Sequence, residues 1–148
     1  PVIATLSVLI GGLMFAKGRR EDAVLLWATM AGGAGLTAGI KHAFHEVRPA
    51  LFHPLVQETG FSFPSGHATL SFCLFGFLAV WLVLEAPRKL ISWVAALACV
   101  GLAGAIALSR VYLGVHWPSD VVAGMLVATT WVAAMAAARQ ALLPPLEG

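Results

Sequence analysis

A histidine followed four positions later by an aspartate, His116 and Asp120, is the pairing in this sequence best suited to chemistry. The carboxylate can accept one imidazole N–H, which fixes the tautomer and leaves the other ring nitrogen free to act as a nucleophile. A second histidine, His67, stands in the tetrapeptide PSGH at 64–67. Three cations, Lys41, Arg48 and Arg110, lie in the flanking segments KHAFHEVRP (41–49) and SRVYLGVHWPSD (109–120). A metal pair is the competing reading of His116 and Asp120. It would need a third and a fourth donor, and the neighbouring residues are instead cations, which repel a metal ion.

Cations beside hydrocarbon are costly, about 2.5–3.5 kcal/mol at the bilayer centre and less toward the interface. Any one of the three could simply snorkel to the headgroups. Three that converge with two histidines suit a multiply charged anion such as phosphate, to which arginine adds bidentate geometry. In PSGH, Pro64 closes the preceding loop, Ser65 is a good N-cap and Gly66 permits close backbone approach. The tetrapeptide therefore predicts a helix start, whose free N–H groups bind anions readily. Capping alone would account for Ser65, but not for a histidine in the first turn. Pro118 predicts the first position of another helix, with Asp120 in its opening turn. His42 and His45 lie three apart beside Glu46 and invite a metal hypothesis, although interface histidines at a helix end are the ordinary case. His53 has no assigned role.

The elements that must position these groups are set by composition. The chain is 59% hydrophobic and 11% charged, with a mean hydropathy of +0.88, whereas soluble domains carry about 25% charged residues. The bilayer is the natural solvent for such a sequence. Five apolar segments predict spanning helices at 2–16, 22–44, 66–86, 90–108 and 119–138, the first of them short, within one domain over 1–148. The class is therefore all-α, a polytopic transmembrane bundle. Small residues in the second segment, Ala31, Gly32, Gly33, Ala34, Gly35 and Gly39, predict close helix packing. Cys73 and Cys99 sit in apolar runs and read as packing residues. A net charge of +2 without a basic block gives no reason to expect nucleic acid.

Alternating the direction of successive spans places Lys17, Arg19, Arg20, Arg88, Lys89 and Arg139 on one side, which the positive-inside rule makes cytoplasmic. Lys41, Arg48, Arg110 and all five histidines fall at the opposite, outer end. The long connection at 45–63 lies there, and its loop from Ala50 to Phe63 joins the first two motifs. Its rings Phe52, Phe61 and Phe63 are expected at the membrane interface, either shaping a lipid entrance or resting on a plain connector.

Taken together, K-x6-RP, PSGH and SR-x5-H-x3-D, in order and with full spacing from Lys41 to Asp120, resemble the type 2 phosphatidic acid phosphatase superfamily. That superfamily also includes vanadium haloperoxidases and glucose-6-phosphatase-like enzymes. The resemblance implies that Lys41, Arg48 and Arg110 bind phosphate oxygens and that Ser65 and Gly66 add hydrogen bonds. It implies further that His116 attacks phosphorus to form a phosphohistidine, Asp120 orients it, and His67 protonates the leaving oxygen. The expected protein is a metal-independent membrane lipid phosphatase needing no cofactor, multi-pass in the cell membrane, with its site on the outer face. Membrane members of the family usually have six spans, which leaves room for another before Pro1. Undecaprenyl diphosphate, phosphatidylglycerol phosphate and phosphatidate are the candidate substrates, and no residue selects among them. A transporter or flippase of phosphorylated lipids is the alternative from another class, and a vanadate-holding haloperoxidase the alternative within chemistry.

Overall fold

The structure, a computed structural model, describes residues 2–49 and 58–142. Five helices follow one another: α1 (Val2–Ala16), α2 (Arg20–Phe44), α3 (Gly66–Glu85), α4 (Leu90–Tyr112) and α5 (Pro118–Leu142), with no strand among the described residues. Four of them, α2 to α5, are long and apolar enough to cross a membrane, and α1 is a shorter apolar helix.

Local chemistry sets the ends that matter. The Ser65 hydroxyl caps α3 by accepting the Ala68 N–H at 3.4 Å, and α5 starts at Pro118, whose missing N–H is no loss in a first turn. α2 stops where His45 turns left-handed (φ 51°) with its N–H on the Lys41 carbonyl at 3.1 Å. α4 runs to Tyr112, beyond the predicted end at 108. Hydropathy falls at Ser109 and Arg110, yet the Ser109 hydroxyl returns to the Ile106 carbonyl at 2.7 Å and Arg110 folds onto that same hydroxyl, so the polar pair continues the helix. Gly114 then adopts φ 72°, which lets the chain turn within a few residues from α4 into α5.

α3 is the central helix, packed against α4, α5 and α2. Its Phe72, Cys73, Leu74, Phe75 and Phe77 meet Leu26 of α2, Ala103 and Ala107 of α4 and Val121 and Ala128 of α5 in the core. The expected close packing along α2 occurs at two positions. Gly32 lies against the Trp131 ring, and a Cβ on Gly33 would meet the Cys73 sulfur at 2.5 Å, whereas Gly35 and Gly39 face open space. Cys73 is buried and Cys99 half-buried, both as free thiols. Leu36, Leu97, Leu102, Leu108, Val122 and Leu126 face outward and exposed. In water they would form a continuous apolar surface; lipid chains solvate such a surface without penalty.

Each end of the bundle is closed by charge. Away from the motifs, Asp22 at the start of α2 accepts Arg19 at 2.7 Å and Arg139 of α5 at 2.8 Å. Glu85 at the end of α3 accepts Arg19 at 2.6 Å and Arg139 at 2.8 Å. Arg19 also lies 5.4 Å from the centre of the Trp81 ring. Its hydrogen bond to Glu85 raises its pKa further above the ordinary guanidinium value. The network joins α2, α3 and α5, and Asp22 within it is 3% exposed. At the other end Gly124 brings α5 onto the start of α3, because a Cβ there would lie 2.8 Å from the Ser65 carbonyl oxygen.

Removing one partner of a buried ion pair leaves the other uncompensated. Arg139→Ala is expected to cost about 2–3 kcal/mol, at or below the low end for buried pairs because its partners keep Arg19. Asp22→Asn should be less than additive with it, measured as a double-mutant cycle on the thermal or denaturant midpoint in detergent. Full additivity would show that the four groups do not act as a network.

Candidate active site

The opposite end gathers the last turn of α2, the first turn of α3, the last turn of α4 and the turn into α5, together with the segment 58–65. That segment is sutured to the helices by its backbone. The Ser62 N–H bonds the Glu46 carbonyl at 2.7 Å, and the Ser65 N–H bonds the Asp120 carbonyl at 2.9 Å. Trp117 Nε1 bonds the Val47 carbonyl at 3.2 Å.

His116 and Asp120 are buried, 3% and 0% exposed. The imidazole Nδ1 lies 3.1 Å from Asp120 Oδ2. That same oxygen accepts the Trp117 N–H at 2.9 Å and the Ser62 hydroxyl, whose oxygen is 3.3 Å from Nδ1. Nδ1–H therefore points into an anchored carboxylate. On the other side of the ring, Arg48 Nη1 is 3.2 Å from Nε2. A guanidinium can only donate, so Nε2 must offer its lone pair there. Both neighbours demand the same form of the ring, a neutral imidazole protonated on Nδ1. Burial pushes the His116 pKa below the ordinary imidazole value, opposed by the hydrogen bond to Asp120 and aided by the charge of Arg48. This combination keeps a nucleophilic nitrogen available.

Arg48 also donates to the carbonyls of Val115 at 2.9 Å, Gly60 at 3.1 Å and Thr59 at 3.3 Å. Its closest charged partner is Glu58, at 3.0 Å. The Glu58 carboxylate is the centre of the constellation. Oε1 is 3.6 Å from His67 Nδ1 and 3.7 Å from Arg110 Nη1, and Oε2 is 3.7 Å from His116 Nε2. Two imidazoles and two guanidinium groups thus surround one carboxylate. Lys41 is tethered beside them, its ammonium on the carbonyls of Phe61 at 2.5 Å and Ser62 at 3.1 Å. Ser65 is wholly buried as the cap of α3, and the N–H groups of Gly66 and His67 precede both the capped Ala68 N–H and the first helical bond, from the Thr69 N–H to the Ser65 carbonyl.

Two members of this site carried no motif. Glu58 is an isolated acid in the long connection, and its value as a signal lies in being a carboxylate between Arg48 and PSGH. Ser62, wholly buried, is a small polar residue between Phe61 and Phe63, two positions before Pro64. The remaining expectations fall elsewhere. His42 and His45 are exposed, and among the described residues no group of three His, Cys, Asp or Glu is placed to hold a metal. His45 meets the Phe61 ring edge-on at 4.5 Å, and Phe63 packs on Phe44 at 5.2 Å. Phe52 and His53 lie outside the described residues.

The depressed pKa of His116 means that its ring stays neutral as pH falls through about 6.5 and gains its proton only in more acidic solution. In the unliganded protein, the ring resonances of His116 followed by NMR should titrate with a midpoint below that value. A midpoint above it would contradict the dominance of burial over Asp120.

The chain resembles known proteins in both sequence and fold. It is 36% identical over 124 residues to phosphatidylglycerophosphatase B of Bacillus subtilis, a match covering 80% of this chain and 59% of that protein. It is 35% identical over 125 residues to undecaprenyl-diphosphatase of Sulfolobus acidocaldarius, covering 81% of this chain and 56% of that protein. The chain thus spans less than two thirds of the length of these relatives. The crystal structure of a transmembrane PAP2 type phosphatidylglycerolphosphate phosphatase from Bacillus subtilis superposes with a TM-score of 0.88 at 29% identity, over 97% of this chain and 71% of that one. The helices and this likeness make the protein an integral membrane protein. The family model of the PAP2 superfamily matches residues 22–143, from the first turn of α2 to the end of α5, and the chain belongs to that superfamily.

Proposed function

We propose that this chain is a membrane lipid phosphatase that passes the phosphoryl group of a lipid phosphate through His116 to water. The observation that carries the reading is the pair of imidazoles that meet at one anion position, His116 Nε2 and His67 Nδ1, each within 3.7 Å of the same carboxylate. In-line displacement needs a nucleophile on one side of phosphorus and a proton donor on the other.

In the first step Nε2 of neutral His116 attacks phosphorus as the bond to the lipid oxygen breaks. His67 gives its proton to that oxygen, which leaves as the alcohol, or as the lipid monophosphate if the substrate is a diphosphate. Positive charge on the phosphorylated ring is stabilised through Nδ1–H by Asp120, which Ser62 and Trp117 hold in place. In the second step His67, now neutral, takes a proton from water as the oxygen attacks phosphorus, and His116 leaves. Arg48, Arg110, Lys41 and the N–H groups at the start of α3 stabilise the equatorial oxygens. These are fixed charges doing what a divalent ion does elsewhere, so the reaction is metal-independent.

Membrane orientation and substrate class follow from the same frame. Lys17, Arg19, Arg20, Arg88, Lys89 and Arg139 lie toward the end remote from the site. The positive-inside rule puts that end in the cytoplasm and the site at the outer face of the cell membrane. A site at the rim of a lipid-facing bundle suits an amphiphile whose tail stays in the bilayer. The relatives' names direct the choice to phosphatidylglycerophosphate and undecaprenyl diphosphate, with phosphatidate as a third.

His116→Ala should lower phosphate release from these lipids on the order of 10³-fold or more, since nucleophile and acid act as a unit. Transfer of intact lipid phosphate between leaflets without phosphate release by the unaltered protein would replace this reading with that of a flippase. His67→Ala should lose less on an aryl phosphate than on an alkyl phosphate, because a good leaving group needs little protonation; equal losses would remove His67 from the acid role. EDTA should leave the rate unchanged, and activity restored only by Mg²⁺ would overturn metal independence.

A further inference from the structure

Glu58 stands where the reading above requires the substrate's phosphate to be. Its carboxylate faces Arg48 at 3.0 Å, His67 at 3.6 Å, and Arg110 and His116 at 3.7 Å. An anion that met these four groups at once would occupy the same space. The fit is also incomplete. Only Arg48 is at hydrogen-bonding distance, and the other three contacts are longer by more than half an ångström. A planar carboxylate has two oxygens to share among four partners, whereas a phosphate has more oxygens and up to twice the charge.

We propose that Glu58 is an internal stand-in for phosphate: its carboxylate holds the anion seat of the resting enzyme, and each anion that binds there must first displace it. This deepens the phosphatase reading and rests on it. Like charges would otherwise drive Arg48 and Arg110 apart or draw in whatever anion is at hand. A tethered carboxylate keeps the guanidinium groups and both imidazoles arranged around an anion of the right sign, and yields because its contacts are weak. At the end of the cycle it competes with inorganic phosphate for the same partners, and so shortens the life of the product complex. No bond is made to Glu58 in this role, and its proton balance does not change.

The thermodynamic signature is specific. When the competent state is a fraction of the population, the apparent affinity of every ligand for it falls by that same fraction. A carboxylate that holds the seat about nine-tenths of the time weakens all anions about tenfold. Glu58→Gln keeps the shape and removes the charge. The experiment is isothermal titration of the full chain in detergent with inorganic phosphate and, separately, with orthovanadate, on the unaltered protein, Glu58→Gln and Glu58→Asp.

The expected result is that both anions bind Glu58→Gln about tenfold or more tightly, with phosphate a correspondingly stronger product inhibitor. Glu58→Asp, whose carboxylate is one methylene short of the seat, should lie between. Unchanged or weaker binding of both anions to Glu58→Gln would overturn the proposal. So would a fall in turnover on alkyl but not aryl phosphates with unaltered anion affinity, which would make Glu58 a support for protonated His67. Should Glu58→Gln not fold, Glu58→Asp decides alone, by binding phosphate more tightly or not. Phosphate release by the unaltered protein is measured alongside. Its absence would strike at the phosphatase reading, whereas its presence with unchanged anion affinity in the variants would strike at the role of Glu58 only.

Discussion

Arg48 has five N–H groups in a rigid plane. They are set against the carbonyls of Thr59, Gly60, Phe61 and Val115, the Nε2 of His116 and the carboxylate of Glu58, the last two sharing Nη1 with Val115. Those partners come from the segment leading into α3 and from the turn leading into α5, while Arg48 itself follows α2. One side chain therefore fixes three parts of the chain relative to one another. A lysine could not do this, since an ammonium offers three donors at a point. The rest of the site depends on that plane. It selects the tautomer of His116 from one side, as Asp120 does from the other, and it holds Glu58 within reach of both imidazoles.

The bundle keeps its charges at its two ends and its small residues between them. Around the middle, Ala103, Ala107 and Ala128 pack against α3 with little side chain between the backbones. Gly124 continues this closeness to the site, where α5 approaches the Ser65 carbonyl. The approach explains how a helix start and a helix-preceding turn, both poor in apolar side chains, share one buried patch. Ser65 and Ser62 can be wholly buried there because each is hydrogen-bonded, whereas Asp120 is held through Oδ2 alone and its Oδ1 is buried without a hydrogen-bond partner.

The order of five apolar helices was legible because lipid-facing helices need long apolar runs and nothing else produces them at this density. The grouping of the three motifs at one end followed from the alternation of those runs. The end of α4 was not legible, since hydropathy records contact with lipid while the helix is continued by hydrogen bonds through Ser109 and Arg110. Ser62 and Glu58 escaped for a different reason. They lie in an irregular segment without periodicity, and their importance comes from contacts across more than fifty positions, Ser62 with Asp120 and Glu58 with Arg110 and His116. Lys41 was expected on the anion. In this structure its ammonium rests on two carbonyls, a geometry that no spacing rule predicts because the partners belong to backbone brought in by tertiary folding.

Asp120 and Arg139 lie on the same helix, so α5 is a rigid lever about 28 Å long between the carboxylate that holds His116 and the ionic clamp at the far end. A tilt of about 2° at the clamp would carry Asp120 sideways by about 1 Å, a displacement large enough to cost a reaction a hundredfold. The thickness and lateral pressure of the surrounding bilayer act on this lever along its whole length. The accuracy of the site is therefore set partly by the membrane at the far end of the bundle, through a helix that spans from one to the other.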